Sequence, residues 1–418
     1  MERLSLSDGA VFELEHCNKC GFCLPACPTY QETGSEVASP RGRLSLVEAA
    51  WRGEIEAGQG LADALSLCLG CRACESACPS GVRYGRVLEE ARAALYHRRP
   101  AFTVRHETVP MLLDLVRQRR RFRRLVRLGQ WGRSLPMPRR FKAAAALLPG
   151  PRPRLAPKPM PPAPSAPRPR IWFFTTCVMD TAYREANDAA VALLRAAGAE
   201  VIVEPDQGCC GALHAHSGRE EEARAMARAN LARWRHLPDD TWIVLHAGGC
   251  GAMLAEYDYL LRDDPEWGPV AARWAGRVKD FATALADLPR RPVYAGKGER
   301  VALQNSCHLV NGLRQGGAPV EILQNVPGDT FVPVPGQDRC CGSAGVYNLN
   351  EPGMAQRILE RHVDEVRTER VDVWIVNNPG CGLQCEAGVR QAQLPTRVWH
   401  LAEYLYDRWT GEVTEAAR

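Results

Sequence analysis

Two rhythms of apolar residues run along the chain. In residues 39–68 (SPRGRLSLVEAAWRGEIEAGQGLADALSLC) apolar positions recur every three or four residues, at Leu44, Val47, Ala50 and then Ile55, which predicts helix. Residues 86–100 (RVLEEARAALYHRRP) also read as helix and close an N-terminal domain. From residue 170 the rhythm changes. RIWFFTTC, AEVIVEP and TWIVLHAGGC are short apolar runs that predict strands, while GREEEARAMARANLARW and VKDFATALADL predict helices. The same succession returns as RVALQNSC, DTFVPVP, EPGMAQRILERHVDEVR, DVWIVNNPGC and VWHLAEYLYD. Strands alternating with helices predict an α/β layered unit with a largely parallel sheet, present twice. Between the two halves lies PGPRPRLAPKPMPPAPSAPRPR, residues 149–170, too rich in proline for helix or central strand and therefore an extended, semi-rigid linker. The expected organisation is a helical domain over 1–98, a basic helical segment over 99–148, the linker over 149–170, and repeats over 171–296 and 297–418.

Composition narrows the class. Of 418 residues, 45% are hydrophobic and 24% charged, as in soluble globular proteins. No basic stretch followed by an apolar one opens the chain, so no secretory signal is read, and no apolar run reaches the roughly 18 residues of a spanning helix. The expectation is a cytoplasmic protein, or one peripheral to the inner face of the cytoplasmic membrane. Charge is unevenly placed: the net charge is +5, yet no acidic residue occurs between Asp114 and Asp180. Residues 116–142 (VRQRRRFRRLVRLGQWGRSLPMPRRFK) interleave arginines with Phe122, Leu125, Val126, Leu128 and Trp131. Such a strip suits an anionic bilayer surface, an acidic partner subunit, or a solvated helix on its own domain. No nucleic-acid recognition motif accompanies it, so nucleic acid is not an expected partner.

Cysteine usage carries the chemistry. Cys17-x2-Cys20-x2-Cys23-x3-Cys27 is followed by Pro28, and Cys68-x2-Cys71-x2-Cys74-x3-Cys78 by Pro79. Seventeen cysteines in a chain of this size do not fit a disulfide framework, which suits small secreted domains and an even count. Zinc sites use two paired cysteine or histidine sets instead. The doubled run is the bacterial ferredoxin signature for [4Fe–4S] clusters, in which three cysteines come from one motif and the fourth from the other. One cluster then takes Cys17, Cys20, Cys23 and Cys78; a second takes Cys68, Cys71, Cys74 and Cys27. Gly21 and Gly70 allow close approach of the loop backbone to the cluster. Arg41 and Arg43, the cations nearest the first motif, are either a solvated helix start or counter-charges for a reduced cluster.

Eight of the other nine cysteines fall into two matched sets, and Cys385 follows the second. Cys177, Cys209-Cys210-Gly211 and Cys250-Gly251 are matched by Cys307, Cys340-Cys341-Gly342 and Cys381-Gly382, displaced by 130 or 131 positions. Each station sits at the C-terminal end of a predicted strand or in its loop, the edge where α/β sheets gather ligands. His214, His216, His308 and Tyr347 lie close by as candidate ligands or proton relays, or as ordinary loop residues. No GxGxxG follows a strand, and no GxSxG is present.

The doubled ferredoxin motif, SPRGR after its first copy, CLGCRACESACPSGVRYG at its second, and the paired GCCGA and CCGSAGVYNL together resemble the glycolate oxidase iron–sulfur subunits, within the wider heterodisulfide reductase-like proteins. The resemblance covers nearly the whole chain. It implies an electron-transfer subunit without a flavin of its own, not active alone. Electrons would come from flavin-binding glycolate oxidase subunits and pass toward quinone at a membrane. Equivalent subunits serve lactate or glycerol-3-phosphate dehydrogenase complexes, and heterodisulfide reductase relatives reduce disulfides, so those functions stand as alternatives. In these relatives a cysteine, a CC pair and a final C-x2-C hold a non-cubane cluster. Here Met253 takes the fifth position of the first repeat, and Cys385 comes one residue late in the second. The resemblance therefore implies one further [4Fe–4S] cluster, on Cys307, Cys340, Cys341, Cys381 and Cys385, with Cys177, Cys209, Cys210 and Cys250 as the weaker candidate set.

Overall fold

The computed structural model describes residues 3–98, 108–131, 149–150, 152–164, 167–205 and 207–416. The chain forms two compact units that do not follow its linear order. The first comprises Met1–Asp114, Gly211–Ala225 and Arg339–Glu360; the second comprises Leu115–Cys210, Met226–Asp338 and Arg361–Arg418. The first repeat thus gives the stretch after its CC pair, and the second its CC pair with the stretch that follows, to the unit that holds the ferredoxin motifs.

The first unit is helical: α1 (Asp8–Glu15), α2 (Pro28–Thr33), α3 (Pro40–Arg52), α4 (Gln59–Ser66), α5 (Ala73–Ser76) and α6 (Tyr84–Arg98). Proline starts two of these helices, at the first turn where its missing N–H costs nothing. Ser39 caps α3 by accepting from the Gly42 N–H at 3.0 Å. The predicted apolar stripe holds for Leu44, Val47 and Ala50, which are buried with Leu61, Leu65, Val87, Leu88 and Leu95. Ile55 does not continue it, because Gly53 ends α3 in the left-handed region at φ +80° and α4 begins afresh. Two further helices follow α6, α7 (Thr108–Arg117) and α8 (Arg119–Trp131). The rest of the basic segment, residues 99–107 and 132–148, lies outside the described residues.

The second unit holds the duplicated sheets. Its strands are β1 (Arg170–Phe173), β2 (Glu200–Ile202), β3 (Trp242–Leu245), β4 (Val278–Asp280), β5 (Arg290–Tyr294), β6 (Arg300–Gln304), β7 (Thr330–Phe331), β8 (Val373–Val376), β9 (Arg397–His400) and β10 (Trp409–Glu415). They form two parallel four-stranded sheets, ordered β2-β1-β3-β4 and β7-β6-β8-β9. Helices cover both faces, which is why the central strand VWIV is buried at every position. One apolar core runs through both repeats, from Phe173 and Leu193 to Leu303, Ile375 and Leu405.

VKDFATALADL and VWHLAEYLYD, read above as helices throughout, open with the edge strands β4 and β9. Pairing with β3 and β8 takes Val278 and Val398 into the sheet before the helix starts. Asp280 then caps the first helix by accepting from the Ala282 N–H at 2.9 Å, and His400 caps the second. The antiparallel ribbon of β5 and β10 had no period-two apolar signal, and joins the ends of the two repeats.

Candidate functional site

Both ferredoxin loops bend by the same backbone device. Lys19 and Gly21 are left-handed (φ +52° and +91°) in the first, and Gly70 and Arg72 (φ +64° and +61°) at the same two places in the second. Two reversals within five residues curl the chain so that cysteines at i, i+3 and i+6 turn inward. Glycine supplies one reversal in each loop and spares it the Cβ penalty. In the first loop, burial pushes the Cys23 thiol up, and Cys17 and Cys20 beside it add to the shift. Asn18 Nδ2 donates to Ser80 Oγ at 2.9 Å, tying the Cys17 turn to the residues that follow Cys78. Cys20 is exposed; Cys17, Cys23 and Cys78 are half-buried.

The second loop borders a partly open pocket. Its lining includes Cys27 from the first motif, Cys68, Cys71 and Cys74 from the second, and Arg43 and Tyr84. Burial pushes the Cys74 thiol well up, with Cys71, Cys68 and Cys27 contributing. Cys68 is held down against the same burial by Arg43 and Arg92, by the Tyr84 hydroxyl and by the Gly70 N–H. The two hydrogen bonds to its sulfur are each 3.4 Å. Arg43 is buried and donates to Ala64 O at 2.8 Å and Thr29 Oγ1 at 3.1 Å. Cys68 and Cys27 keep its proton on despite burial. Arg41 is partly exposed, pairs with Glu36 and donates to Lys19 O at 3.1 Å. The two arginines, grouped together in the sequence, therefore have different surroundings. Four thiols lining one pocket, with a buried guanidinium against them, fit an anionic polynuclear group. Among the described residues, no three His, Cys, Asp or Glu side chains converge as they would on one metal ion.

In the second unit, Cys177 and Cys209 are 3.8 Å apart and Cys210 and Cys250 3.1 Å, sulfur to sulfur. The Cys209 carbonyl accepts from Asn230 Nδ2 at 2.9 Å and the Cys210 carbonyl from Tyr257 Oη at 2.8 Å. Hydrogen bonds with Cys209 and Cys250, then burial, push the Cys210 thiol well up. Met253 is buried. Cys381 and Cys385 lie one turn apart on the helix Pro379–Gln391, so both face one side. Asn378 Nδ2 approaches Cys381 Sγ at 3.5 Å, and Cys307 Sγ lies 3.7 Å from His308 Nδ1. Cys340 and Cys341, also buried, belong to the first unit.

Glycine explains the fixed triplet. Gly211 and Gly342 both sit at φ +88°, and a Cβ there would press on Ala223 and on Ala355 O. Gly251 and Gly382, after the last cysteines, allow close packing on Leu313 and on Tyr183, which donates to Glu386 Oε1 at 3.2 Å. His214 and His216, expected in a loop, lie on the short helix Ala212–His216; His214 is buried, and His216 Nδ1 meets Glu89 Oε1 at 2.7 Å. Tyr347 Oη donates to Leu67 O at 3.1 Å. Arg92, Tyr84, Asn230 and Tyr257 escaped the sequence reading, since each is an ordinary helix residue until the chain folds.

On α8, Leu125 and Leu128 are 48% and 62% exposed, among exposed Arg120, Arg121, Arg124 and Arg127. Phe122 and Val126 are half-buried; the Trp131 side chain and residues 132–142 lie outside the described residues. Among the described residues, no helix is long and apolar enough to cross a membrane.

A helical pair of four-cysteine motifs in one chain with duplicated parallel α/β repeats, each carrying a CC pair, defines an iron–sulfur electron-transfer subunit. Residues 13–82 match the 4Fe-4S dicluster domain family, and residues 171–255 and 301–386 each match the cysteine-rich domain family. The chain is 37% identical to the probable glycolate oxidase iron–sulfur subunit of Bacillus subtilis (strain 168), over 94% of each chain. It is 28% identical to the glycolate oxidase iron–sulfur subunit of Escherichia coli (strain K12), over 88% of each. Lactate utilization protein A of Geobacillus kaustophilus (strain HTA426) is 30% identical across 99% of its length but 57% of this chain. The chain belongs to the glycolate oxidase iron–sulfur subunit family.

Proposed function

We propose that this chain carries electrons within a flavin-dependent glycolate-oxidising complex, receiving them from flavin-binding subunits and delivering them toward quinone. The observation that carries the reading is the cavity shared by Cys27 of one motif and Cys68, Cys71 and Cys74 of the other. We assign these four to one [4Fe–4S] cluster, and Cys17, Cys20, Cys23 and Cys78 to another. Bound there, such clusters supply one-electron transfer. The chain's own groups set the conditions. Arg43 offsets the charge of a reduced site, and the Tyr84 hydroxyl and Gly70 N–H donate to the Cys68 sulfur, which favours reduction there. A third cluster is assigned to Cys307, Cys340, Cys341, Cys381 and Cys385, with Cys177, Cys209, Cys210 and Cys250 the alternative set. Glycolate is favoured over lactate because the relatives named for glycolate align along 88–94% of this chain and the lactate utilization protein along 57%. The exposed arginines and leucines of α8 suit a peripheral contact with an anionic membrane.

Anaerobically isolated chain is expected to hold about eight irons with two sites filled, or about twelve with three. Cys27→Ser and Cys78→Ser are expected to alter different paramagnetic signals. Glycolate-dependent dye reduction is expected only when the flavin subunits are added. Loss of the same signal in both variants, or an effect of Cys27→Ser on the signal that Cys20→Ser alters, would defeat the crossed assignment, and dye reduction by the chain alone would defeat the subunit role.

A further inference from the structure

Residues 216 and 347 occupy the same position of the two repeats, 131 apart, yet both stretches belong to the unit of the ferredoxin motifs. Tyr347 reaches one short piece of backbone directly, and His216 is tied to the same piece through Arg92. Arg92 of α6 donates to His216 O at 3.1 Å and, with its other terminal nitrogen, to Leu65 O and Cys68 O, both at 2.8 Å. The His216 ring meets Glu89, one helical turn before Arg92, at 2.7 Å. From the second repeat, Tyr347 Oη donates to Leu67 O at 3.1 Å, and Glu351 accepts from Ser66 Oγ at 3.1 Å. Three carbonyls at the end of α4 and the start of the second loop are therefore held from two sides. Gly345 and Leu213 bring the two clasping stretches together, since a Cβ on Gly345 would lie 2.9 Å from Leu213 Cδ2.

We propose that His216 and Tyr347, duplicate positions of the two repeats, clamp the backbone leading into Cys68. The Cys27/Cys68/Cys71/Cys74 site is then the junction where both repeats join the ferredoxin wire, and the Cys20 site is the outward terminus. This rests on the cluster assignment above and adds the direction of the wire. Tyr347 is a positioning residue: its hydroxyl holds the Leu67 carbonyl, one residue before Cys68. At the other end Cys20 is exposed, and Phe22 beside it is 68% exposed.

The test uses the full chain, isolated anaerobically with its clusters. Cys20→Ser and Cys71→Ser first assign the two paramagnetic signals; their absence from the wild type would defeat the cluster reading itself rather than the clamp. Tyr347→Phe keeps the ring and loses the hydroxyl, and Arg92→Met loses the other grip. Both are expected to shift the g values and midpoint of the Cys71-sensitive signal and leave the Cys20-sensitive signal in place. A soluble dysprosium chelate is expected to speed relaxation of the Cys20-sensitive signal more than the other. A wild-type Cys71-sensitive signal in both variants, equal shifts in both signals, or greater relaxation of the Cys71-sensitive signal overturns the proposal.

Discussion

Replacing Arg43 by glutamine should lower the potential of one cluster and spare the other. The guanidinium is 3.1 Å from Thr29 Oγ1, which is 3.3 Å from Cys27 Sγ, and it lines the same cavity as four cysteines. Reduction adds one negative charge to whatever the four thiolates hold, so a fixed cation nearby stabilises the reduced form. With about 7 Å between the guanidinium and the added charge and an effective dielectric constant of about 20, the attraction is about 2.4 kcal/mol. For a one-electron couple that is about 100 mV. The control is Arg43→Lys, which keeps the charge and loses the fork, and should shift the potential by less than about a third of that amount. The assay is a redox titration of the anaerobic chain, following the two signals assigned by Cys20→Ser and Cys71→Ser. The Cys71-sensitive midpoint should fall in Arg43→Gln while the Cys20-sensitive midpoint holds. Equal movement of both, or a shift below about 20 mV, would refute the electrostatic reasoning, since even a dielectric constant of about 80 at that distance predicts some 25 mV.

Gly342→Ala should destabilise the chain more than Gly211→Ala in urea titrations. Both lose the left-handed freedom of glycine, a cost of about 1–2 kcal/mol, but a Cβ at 342 lies 2.7 Å from Ala355 O and one at 211 no nearer than 3.2 Å to Ala223. His400 is buried, which pushes its pKa down from the usual histidine value to about 3. The unfolded chain therefore binds the extra proton first, and stability present above about pH 6.5 is lost as pH falls toward 3. Between pH 7.5 and 5.5 this costs about 1 kcal/mol, and His400→Asn should flatten that part of the urea-midpoint profile. Chain binding to vesicles containing phosphatidylglycerol should weaken with added salt, and Leu128→Asp on α8 should abolish it; binding unchanged by either would remove α8 as the contact.

Much of this protein was legible before folding. Cysteine spacing is a local property: three thiols curl inward because two left-handed residues sit between them, and the glycines that permit this are visible in CNKCGFC and CLGCRAC. The duplication was legible because each strand and each CC pair is a short string repeated at a fixed interval. The VKD and RVWH edge strands were hidden, since their pairing partners lie more than thirty residues or more than twenty residues away in the chain and their own apolar pattern runs into the helix behind them.

What only the tertiary structure decided is which residues share a site. Arg41 and Arg43 are alike in the sequence, yet one is partly exposed on Glu36 and the other is buried beside Cys27 and Cys68, because a helix turns residues two apart toward different sides. Arg92 reads as a solvated helix cation until residues 211–225 return to it from the far side of the linker. The sequence by itself singled out the candidate ligands, since coordination chemistry is written in residue types and short spacings. Burial, counter-charge and the clasp on Cys68 depend on contacts between distant segments, and those exist only once the chain has folded.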